Sequence, residues 1–92
     1  MNSYTYKATT KFWRSFEKLP KQRQASVKRA WDIFKKNPFD LRLKPHKIHS
    51  LSTACGCTVY AIVIEQDLRA VFYVDRNVVY SLDIGTHSIY RA

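Results

Sequence analysis

The chain has 92 residues with a formal net charge of +9, and 46% of its residues are hydrophobic. This length and composition fit one globular domain and exclude a disordered chain, and no apolar run approaches the ~20 residues that cross a membrane. The charge is uneven, because residues 1–48 hold thirteen Lys and Arg against three acids, whereas residues 49–92 hold three Arg against four acids. A first half at +10 and a second half at −1 predict an anionic partner, either a nucleic acid or an acidic protein.

The first third of the chain predicts one strand followed by two helices. Residues 4–9 alternate in polarity and are rich in strand-forming residues. Thr9 or Thr10 is expected to cap a helix that runs to Leu19, and Pro20 suits the first turn of a second helix, which residues 37–38 end. Aromatic residues recur at helical spacing in both helices, which predicts a helical hairpin with these side chains in the core: Phe12, Trp13, Phe16, Trp31 and Phe34.

The second half predicts an antiparallel sheet. Three apolar, β-branched segments cover residues 58–64, 68–74 and 78–84, and their short polar connections indicate hairpin turns. Residues 37–58 are expected to be irregular, with one short strand near residues 47–51. The sequence thus predicts an α+β fold, in which an N-terminal strand and a helical hairpin pack on a small antiparallel sheet of about four strands, in a single domain of residues 1–92.

The first of these strands has a further property. Residues 59–64 are apolar on both faces of a strand. One face is expected to pack on the helical hairpin, whereas the other needs a cover or a partner.

Cys55 and Cys57 are separated only by Gly56. A disulfide across one residue is expected to be strained, so the sequence predicts free thiols in a reducing compartment. The N-terminal residues lack the apolar run of a signal peptide, and we expect a cytoplasmic protein. With His46 and His49 the cysteines supply four N and S ligands, but their spacing fits no familiar zinc motif, and neither a metal nor a cofactor is expected.

The C-terminal segment, residues 83–91, holds residue types that suit work on RNA. His87 can exchange a proton near neutral pH, the ring of Tyr90 can stack on a base, and Arg91 can bind phosphate. The alternative interpretation is that His87 and Tyr90 only complete the packing of the C-terminus.

The order and spacing of several segments resemble the RelE/ParE superfamily of bacterial toxins from type II toxin–antitoxin systems. The segments are residues 16–20, 37–40, 43–48, 67–74 and 83–87. The resemblance implies a helical hairpin packed on a small antiparallel sheet, and an acidic antitoxin that wraps the toxin. This antitoxin is expected to bind the apolar strand of residues 59–64 and the basic groove. RelE-like members cleave mRNA in the ribosomal A site without a metal, whereas ParE-like members poison DNA gyrase. The RelE-like activity, a ribosome-dependent mRNA endonuclease, is the favoured prediction.

The resemblance also implies roles for individual residues. Arg69 occupies the position of a phosphate-stabilising arginine, and His87 that of the general acid. Tyr90 matches a terminal aromatic that stacks on the nucleobase, while His46 and Asp67 match positions used as acid–base or positioning groups. From the residues alone, two alternatives stay open: Arg69 forms a structural ion pair with the neighbouring acids, and Asp67 is a turn residue.

The chain departs from the family pattern on one strand. Where RelE has paired lysines it has Tyr60 and Ile62, and where YafQ-like enzymes have a histidine it has Val63. These departures leave two alternatives open: a ParE-like gyrase inhibitor without nuclease activity, and a decayed toxin that acts only as an antitoxin-binding or RNA-binding module.

The cations of the first half are expected to contact ribosomal RNA. Between residues 17 and 36, seven cations face two acids, which is more than an ordinary solvated helix face requires. The residues assigned to this contact are Lys18, Lys21, Arg23, Lys28, Arg29, Lys35, Lys36, Lys44, Lys47 and Arg91.

Overall fold

A computed structural model describes residues 4–90. These residues form five strands, three α-helices and two short 3₁₀ helices. The strands are β1 (Thr5–Ala8), β2 (His46–Lys47), β3 (Tyr60–Glu65), β4 (Leu68–Asp75) and β5 (Val78–Gly85). The helices are α1 (Thr10–Glu17), α2 (Lys21–Phe34) and α3 (His49–Cys55), with 3₁₀ helices at Leu41–Leu43 and His87–Tyr90.

The strands form one sheet in the order β1-β5-β4-β3-β2. The pairs β5–β4, β4–β3 and β3–β2 are antiparallel, whereas β1 runs parallel to β5. The predicted α+β class is confirmed, but the sheet has five strands rather than about four and contains one parallel pair. That pair arises because β1 joins the free edge of β5, where Thr9 donates from its backbone N–H to the carbonyl of Ser81 (3.0 Å).

The two predicted N-terminal helices form. Thr9 caps the first as predicted, whereas Pro20, predicted in the first turn of the second, lies one residue before it. The hydroxyl of Thr9 accepts from the backbone N–H of Phe12 (3.0 Å), and α1 ends at Glu17, two residues before the predicted end. Pro20 is the N-cap residue of α2. A proline fits there because the first backbone N–H groups of a helix have no intrahelical partner.

The helical hairpin covers one face of the sheet, with Phe34 at the centre of the core. Its ring meets the ring of Phe72 edge to face, with centroids 5.0 Å apart. Phe12 and Phe16 are half-buried, but Trp13 and Trp31 are 53% and 40% exposed. The prediction that all five aromatic residues lie in the core was therefore wrong for both tryptophans, which border a groove between α1, α2 and β1.

The opposite face of the sheet is covered by the chain itself. Residues 49–55, predicted to be irregular or extended, form α3, and the strand predicted at residues 47–51 is limited to β2. A second apolar cluster of Ile48, Val59, Ala61 and Val71 is packed by side chains of α3 and of the C-terminal 3₁₀ helix. The second face of residues 59–64 thus has an intramolecular cover, and the expectation that a partner supplies it was wrong.

Cys55 and Cys57 are joined by a disulfide, so the prediction of free thiols was also wrong. Gly56, between them, has φ +73°, in the left-handed region that a glycine adopts without steric cost. This turn ends α3 and brings the two Cα atoms to 5.2 Å, within the ordinary range for a disulfide.

Within residues 4–90, no helix combines the length and the apolar character that crossing a membrane requires.

Candidate functional site

Four side chains from three separate parts of the chain meet on the α3 side of the sheet, around Tyr90. The ring of Tyr90 meets His87 edge to face, with centroids 5.2 Å apart, and His46 at 6.4 Å. The guanidinium of Arg69 lies close enough to act on the hydroxyl of Tyr90. We call His46, Arg69, His87 and Tyr90 the Tyr90 cluster; it unites four of the five residues that the resemblance assigned to catalysis.

The end of β5 and the first turn of α3 place the C-terminal 3₁₀ helix. Gly85 leaves room for it, because a Cβ at that position would lie 2.8 Å from Cγ2 of Ile89. The backbone N–H of Ile89 donates to the carbonyl of Thr86 (3.1 Å). The hydroxyl of Ser50, on α3, donates to the carbonyl of Tyr90 (2.9 Å). Tyr90 is thus tied both to the sheet and to α3.

His46 reaches the cluster from the edge strand β2, where it pairs with Ala61. Its Nδ1 lies 3.0 Å from the carbonyl oxygen of Lys44, a residue in the left-handed conformation with φ +50°. A carbonyl can only accept, so Nδ1 carries the hydrogen and a neutral His46 has its lone pair on Nε2. That tautomer suits His46 to accept a proton at Nε2.

Arg69 lies on β4, between Val63 of β3 and Gly85 of β5. Its Nη1 donates to the backbone carbonyls of Glu65 (2.6 Å) and Leu68 (3.3 Å). Among the described residues it forms no ion pair with a neighbouring acid. The structural ion pair considered for Arg69 is therefore absent from the described part of the chain. Neutral backbone carbonyls hold the Arg69 guanidinium in place instead.

The hydroxyl of Tyr90 is buried and makes no hydrogen bond of acceptable geometry to any residue in the range 4–90. Burial raises the pKa of Tyr90, and the nearby Arg69 guanidinium opposes that rise. Buried polar groups are nearly always hydrogen-bonded in folded proteins. This hydroxyl is consequently an unsatisfied buried group beside the Arg69 guanidinium.

Asp67 lies apart from the cluster. It is exposed in the turn between β3 and β4, and its carboxylate pairs with the guanidinium of Arg23 at 2.8 Å. Arg23 belongs to α2, on the helical side of the sheet. Asp67 therefore lies in a turn and joins this turn to α2, and among the described residues no hydrogen bond links it to Tyr90.

On β3, two of the residues that depart from the family pattern lie on the face of the strand away from the Tyr90 cluster. Tyr60 and Ile62 pack into the core beneath the helical hairpin. The neighbours Ala61 and Val63 occupy the other face, opposite Val71 and Arg69 of β4. Side chains alternate along a strand, so Tyr60 and Ile62 cannot point to the Tyr90 cluster. Of the three departures noted on this strand, only Val63 bears on the site.

The cations assigned to RNA contact lie mainly on the face opposite the cluster. Those of the helical hairpin are exposed apart from the half-buried Arg23. Arg23 and Lys35 have acidic partners, Asp67 and Asp32. On the edge beside His46, Lys44 and Lys47 are exposed, and Arg91 lies outside the described residues. Lys18, Lys21, Lys28, Arg29 and Lys36 complete the exposed set on the helical hairpin.

A groove of about 480 Å³ separates α1, α2 and the edge strand β1. We call it the aromatic groove, because its walls are largely aromatic. Its rims carry two exposed lysines, Lys7 and Lys28. Such a groove with a cationic rim suits an amphipathic segment that carries negative charge. Its aromatic side chains are Tyr6, Phe12, Trp13, Phe16 and Trp31.

The donor set considered for zinc is not assembled. The two cysteines are bonded to each other, and in the described part of the chain no group of three or more His, Cys, Asp or Glu side chains is placed to share a metal ion.

Sequence reasoning missed three residues that hold the cluster. Lys44 orients His46 through its carbonyl, Ser50 holds the main chain of Tyr90, and Gly85 admits Ile89. Gly85 carried the only local signal, because it ends an apolar strand. The roles of Lys44 and Ser50 depend on contacts between segments and have no local signature.

Neither a family model nor a curated protein matches this chain. Several solved structures match it over most of its length. An archaeal RelE–RelB complex from Pyrococcus horikoshii OT3 has 18% identity and a TM-score of 0.71, with 91% of this chain and 94% of that chain covered. The Escherichia coli DinJ–YafQ toxin–antitoxin complex has 12% identity and a TM-score of 0.74, covering 95% and 96%. The toxin–antitoxin complex RelBE2 from Mycobacterium tuberculosis has 19% identity and a TM-score of 0.68, covering 92% and 99%.

These likenesses extend over nearly the whole of each chain. They define the class first: a small α+β protein whose helical hairpin covers one face of a mainly antiparallel sheet. Within that class, the chain has the RelE/ParE-like toxin fold.

Proposed function

We propose that this chain is the toxin of a type II toxin–antitoxin pair and a ribosome-dependent mRNA endonuclease of the cytoplasm. The observation that carries the proposal is the meeting of two imidazoles and one guanidinium around Tyr90. The fold alone does not require this meeting, because the three groups come from β2, β4 and the C-terminal 3₁₀ helix. RNA cleavage by its own 2′-hydroxyl needs a proton acceptor, a proton donor and stabilisation of charge on phosphorus.

Three residues of the cluster, His46, Arg69 and His87, each have one chemical role in this proposal. His46 accepts the proton of the 2′-hydroxyl at Nε2, and the 2′-oxygen forms a bond to phosphorus. The bond from phosphorus to the 5′-oxygen breaks, and His87 donates a proton to that leaving oxygen. Arg69 stabilises the negative charge on the phosphoryl oxygens, held by the carbonyl of Glu65. The products are a 2′,3′-cyclic phosphate and a 5′-hydroxyl.

Tyr90 positions both imidazoles through edge-to-face ring contacts, and its buried hydroxyl lies beside Arg69. The remaining exposed part of its ring is available to stack on a base. Asp67 contributes to this proposal as a group that holds the β3–β4 turn against α2. No metal enters the proposed steps, since a cation is already supplied by Arg69.

The experiment that tests the nuclease is brief expression of the chain in bacteria, with mRNA 5′ ends mapped by primer extension. The variants are His46→Ala, Arg69→Ala and His87→Ala. The matched control is His49→Ala, because His49 is the third histidine of the chain, is exposed on α3 and, among the described residues, forms neither an aromatic pair nor a hydrogen bond with Tyr90. New cuts that depend on translation should persist in the His49→Ala variant and be lost in the other three.

One observation favours a second candidate, a ParE-like inhibitor of DNA gyrase. The residues of β3 on the cluster side are Ala61 and Val63, so this strand offers no proton-carrying side chain to the site. An inhibitor that acts by binding needs none. Growth arrest without new mRNA ends, unchanged by His87→Ala, would support gyrase as the target and contradict the nuclease. A decayed toxin that keeps only antitoxin or RNA binding would cause no arrest in any variant.

The partner is proposed to be an acidic antitoxin with an amphipathic segment in the aromatic groove. Trp13 and Trp31 expose apolar surface there, while Lys7 and Lys28 lie at the rim. The occupant would bury the indole rings and place its acids against the lysines. The strand face once expected to bind the antitoxin is already covered by α3, which leaves this groove as the apolar surface for that role.

The second partner is proposed to be the ribosome, bound through the exposed cations of the helical hairpin. These cations lie on the opposite face of the sheet from the Tyr90 cluster, so docking on ribosomal RNA leaves the cluster free for mRNA. Replacing Lys21, Lys28 and Lys36 by Glu should weaken ribosome binding. The salt dependence of binding should fall by about one released counterion per lost phosphate contact. Such a variant should keep the geometry of the cluster, whose residues lie on other elements.

A further inference from the structure

The disulfide between Cys55 and Cys57 lies at the C-terminal end of α3, and α3 is the least closely packed of the three described helices. It has seven residues, and among the described residues no side chain caps its N-terminus. A helix of this length is unstable in isolation and depends on its surroundings. The covalent ring at Gly56 is therefore one of the few constraints on this helix.

The other constraints lead to the Tyr90 cluster. Leu51 packs on the same apolar cluster as Tyr90 and Ile89, and Ser50 donates to the carbonyl of Tyr90 at 2.9 Å. Ser52 holds the two ends of the segment together, because its hydroxyl donates to the carbonyl of Ile48 and accepts from the backbone N–H of Val59. A change in α3 thus reaches Tyr90 through one hydrogen bond and through the apolar cluster that both elements pack on.

The disulfide is accessible from solvent on one side only. Cys55 is exposed, whereas Cys57 is half-buried and packs on the apolar cluster that Tyr90 also contacts. A crevice of about 340 Å³ beside Cys55 extends between α3 and the C-terminal segment, as far as Ile89. Because of this crevice, α3 is only partly packed against the C-terminal segment on this side.

We propose that Cys55–Gly56–Cys57 is a thiol–disulfide exchange site, and that its reduction by a protein dithiol releases α3 and withdraws the support of Tyr90. The inference rests on the proposed function, because it adds regulation to the same site. Disulfides in reducing compartments are generally transient and redox-sensing rather than structural. The disulfide form is the active one, and the dithiol form is the resting one.

The exchange proceeds in two balanced steps. A thiolate of the dithiol attacks Sγ of the exposed Cys55, forming a mixed disulfide, and the bond to Cys57 breaks so that Cys57 leaves as a thiolate. The second thiol of the reductant then displaces Cys55. The protein gains two electrons and two protons as a pair of thiols, and the reductant is oxidised to its own disulfide.

The test measures amide hydrogen exchange of the full chain, oxidised and after reduction with dithiothreitol, by mass spectrometry. Exchange in residues 49–57 and 86–90 is expected to quicken about tenfold on reduction, while residues 68–75 keep their rate. The matched variant Cys55→Ser/Cys57→Ser should show the fast rates with and without reductant. Equal exchange of residues 49–57 and 86–90 in oxidised and reduced wild type would overturn the inference, whatever the variant does.

Cleavage of mRNA on purified ribosomes supplies the second readout. Reduction should lower the rate of the wild-type chain about tenfold, since small displacements of catalytic groups have effects of that size or larger. The rate of the double variant should not respond to dithiothreitol. Equal cleavage by both redox forms would overturn the switch and leave the nuclease intact. Absence of cleavage from both forms, with redox-dependent exchange, would contradict the nuclease and support the exchange site.

Discussion

The ring of Tyr90 lies edge to face against His87, with centroids 5.2 Å apart, on one turn of 3₁₀ helix. Residues three apart eclipse each other in a 3₁₀ helix, so the short turn after Gly85 is sufficient to bring the two rings together. The same ring contacts His46 from the far edge of the sheet. Through Tyr90, the local pair of His87 and Tyr90 is joined by His46 of β2 and Arg69 of β4, so that the site contains residues from three parts of the chain.

Gly85→Ala should disturb this site without touching its chemistry. The added Cβ would lie 2.8 Å from Cγ2 of Ile89, which forces the C-terminal 3₁₀ helix to shift. We expect the free energy of unfolding to fall by about 1–3 kcal/mol, and mRNA cleavage to be lost in parallel.

The control for this change is the double variant Gly85→Ala/Ile89→Ala, which removes the opposing methyl group. Its cost in urea denaturation should be smaller than the sum of the two single costs, because the residues are in contact. Strict additivity would mean that the clash does not govern the position of the helix.

Arg69→Gln should raise the pKa of Tyr90 further. Burial already raises this pKa above its ordinary value of about 10, and the Arg69 guanidinium opposes the rise. The folded state favours the neutral phenol, so this contribution to stability is present below pH ~10 and is lost as pH rises through the higher folded pKa. Phenolate absorbance in each protein, minus that of its Tyr90→Phe counterpart, measures the shift; an unchanged pKa would place Arg69 too far away to act.

Asp67→Asn should leave mRNA cleavage within about twofold of wild type, because Asp67 contacts Arg23 on the helical side of the sheet. Both side chains retain contact with solvent, and exposed ion pairs contribute roughly 0–1 kcal/mol. Thermal unfolding should therefore change little, and equally for Arg23→Gln. A large loss of cleavage in Asp67→Asn that Arg23→Gln does not share would instead assign Asp67 to the chemistry.

Trp31→Ala should weaken antitoxin binding, and it should also lower the free energy of unfolding because the indole packs on Tyr6 and Phe34. Trp31 is 40% exposed at the aromatic groove, and truncation of a tryptophan anchor commonly costs 2 kcal/mol or more of binding energy, about thirtyfold in Kd. Isothermal titration with the antitoxin purified from the complex measures the change. The control is Leu41→Ala, since Leu41 is 86% exposed and lies outside the groove; equal losses for both variants would contradict the proposed docking site.

Local patterns were sufficient for the regular elements of the first and last thirds of the chain. Thr9 and Pro20 marked the helix starts, and the polar turns at residues 65–67 and 75–77 separated the three long strands. These features depend on backbone hydrogen bonds and turn preferences within a few residues, which the sequence displays directly. The middle segment was different: residues 49–55 form a helix whose stability comes from Leu51 packing on the sheet and not from its own propensity.

The face of a strand or helix on which a side chain lies was predicted less reliably than the elements themselves. Tyr60 and Ile62 were compared with site residues of the family, yet they lie in the helical core, and Trp13 and Trp31 were assigned to the core, yet they are exposed. A shift of one residue along a strand exchanges its faces, and the angle between two helices decides which side of a wide aromatic stripe is covered.

The sequence by itself determined the cationic first half, the α+β class and the set of residue types able to act on RNA, because composition and short-range patterns specify these properties. Only the tertiary structure decided that His46, Arg69, His87 and Tyr90 meet. It placed Asp67 in an ion pair with Arg23, away from that cluster. It also joined Cys55 to Cys57 through the left-handed turn at Gly56. The physical reason is that these contacts depend on strand order, register and backbone direction, which bring together residues that the chain keeps far apart.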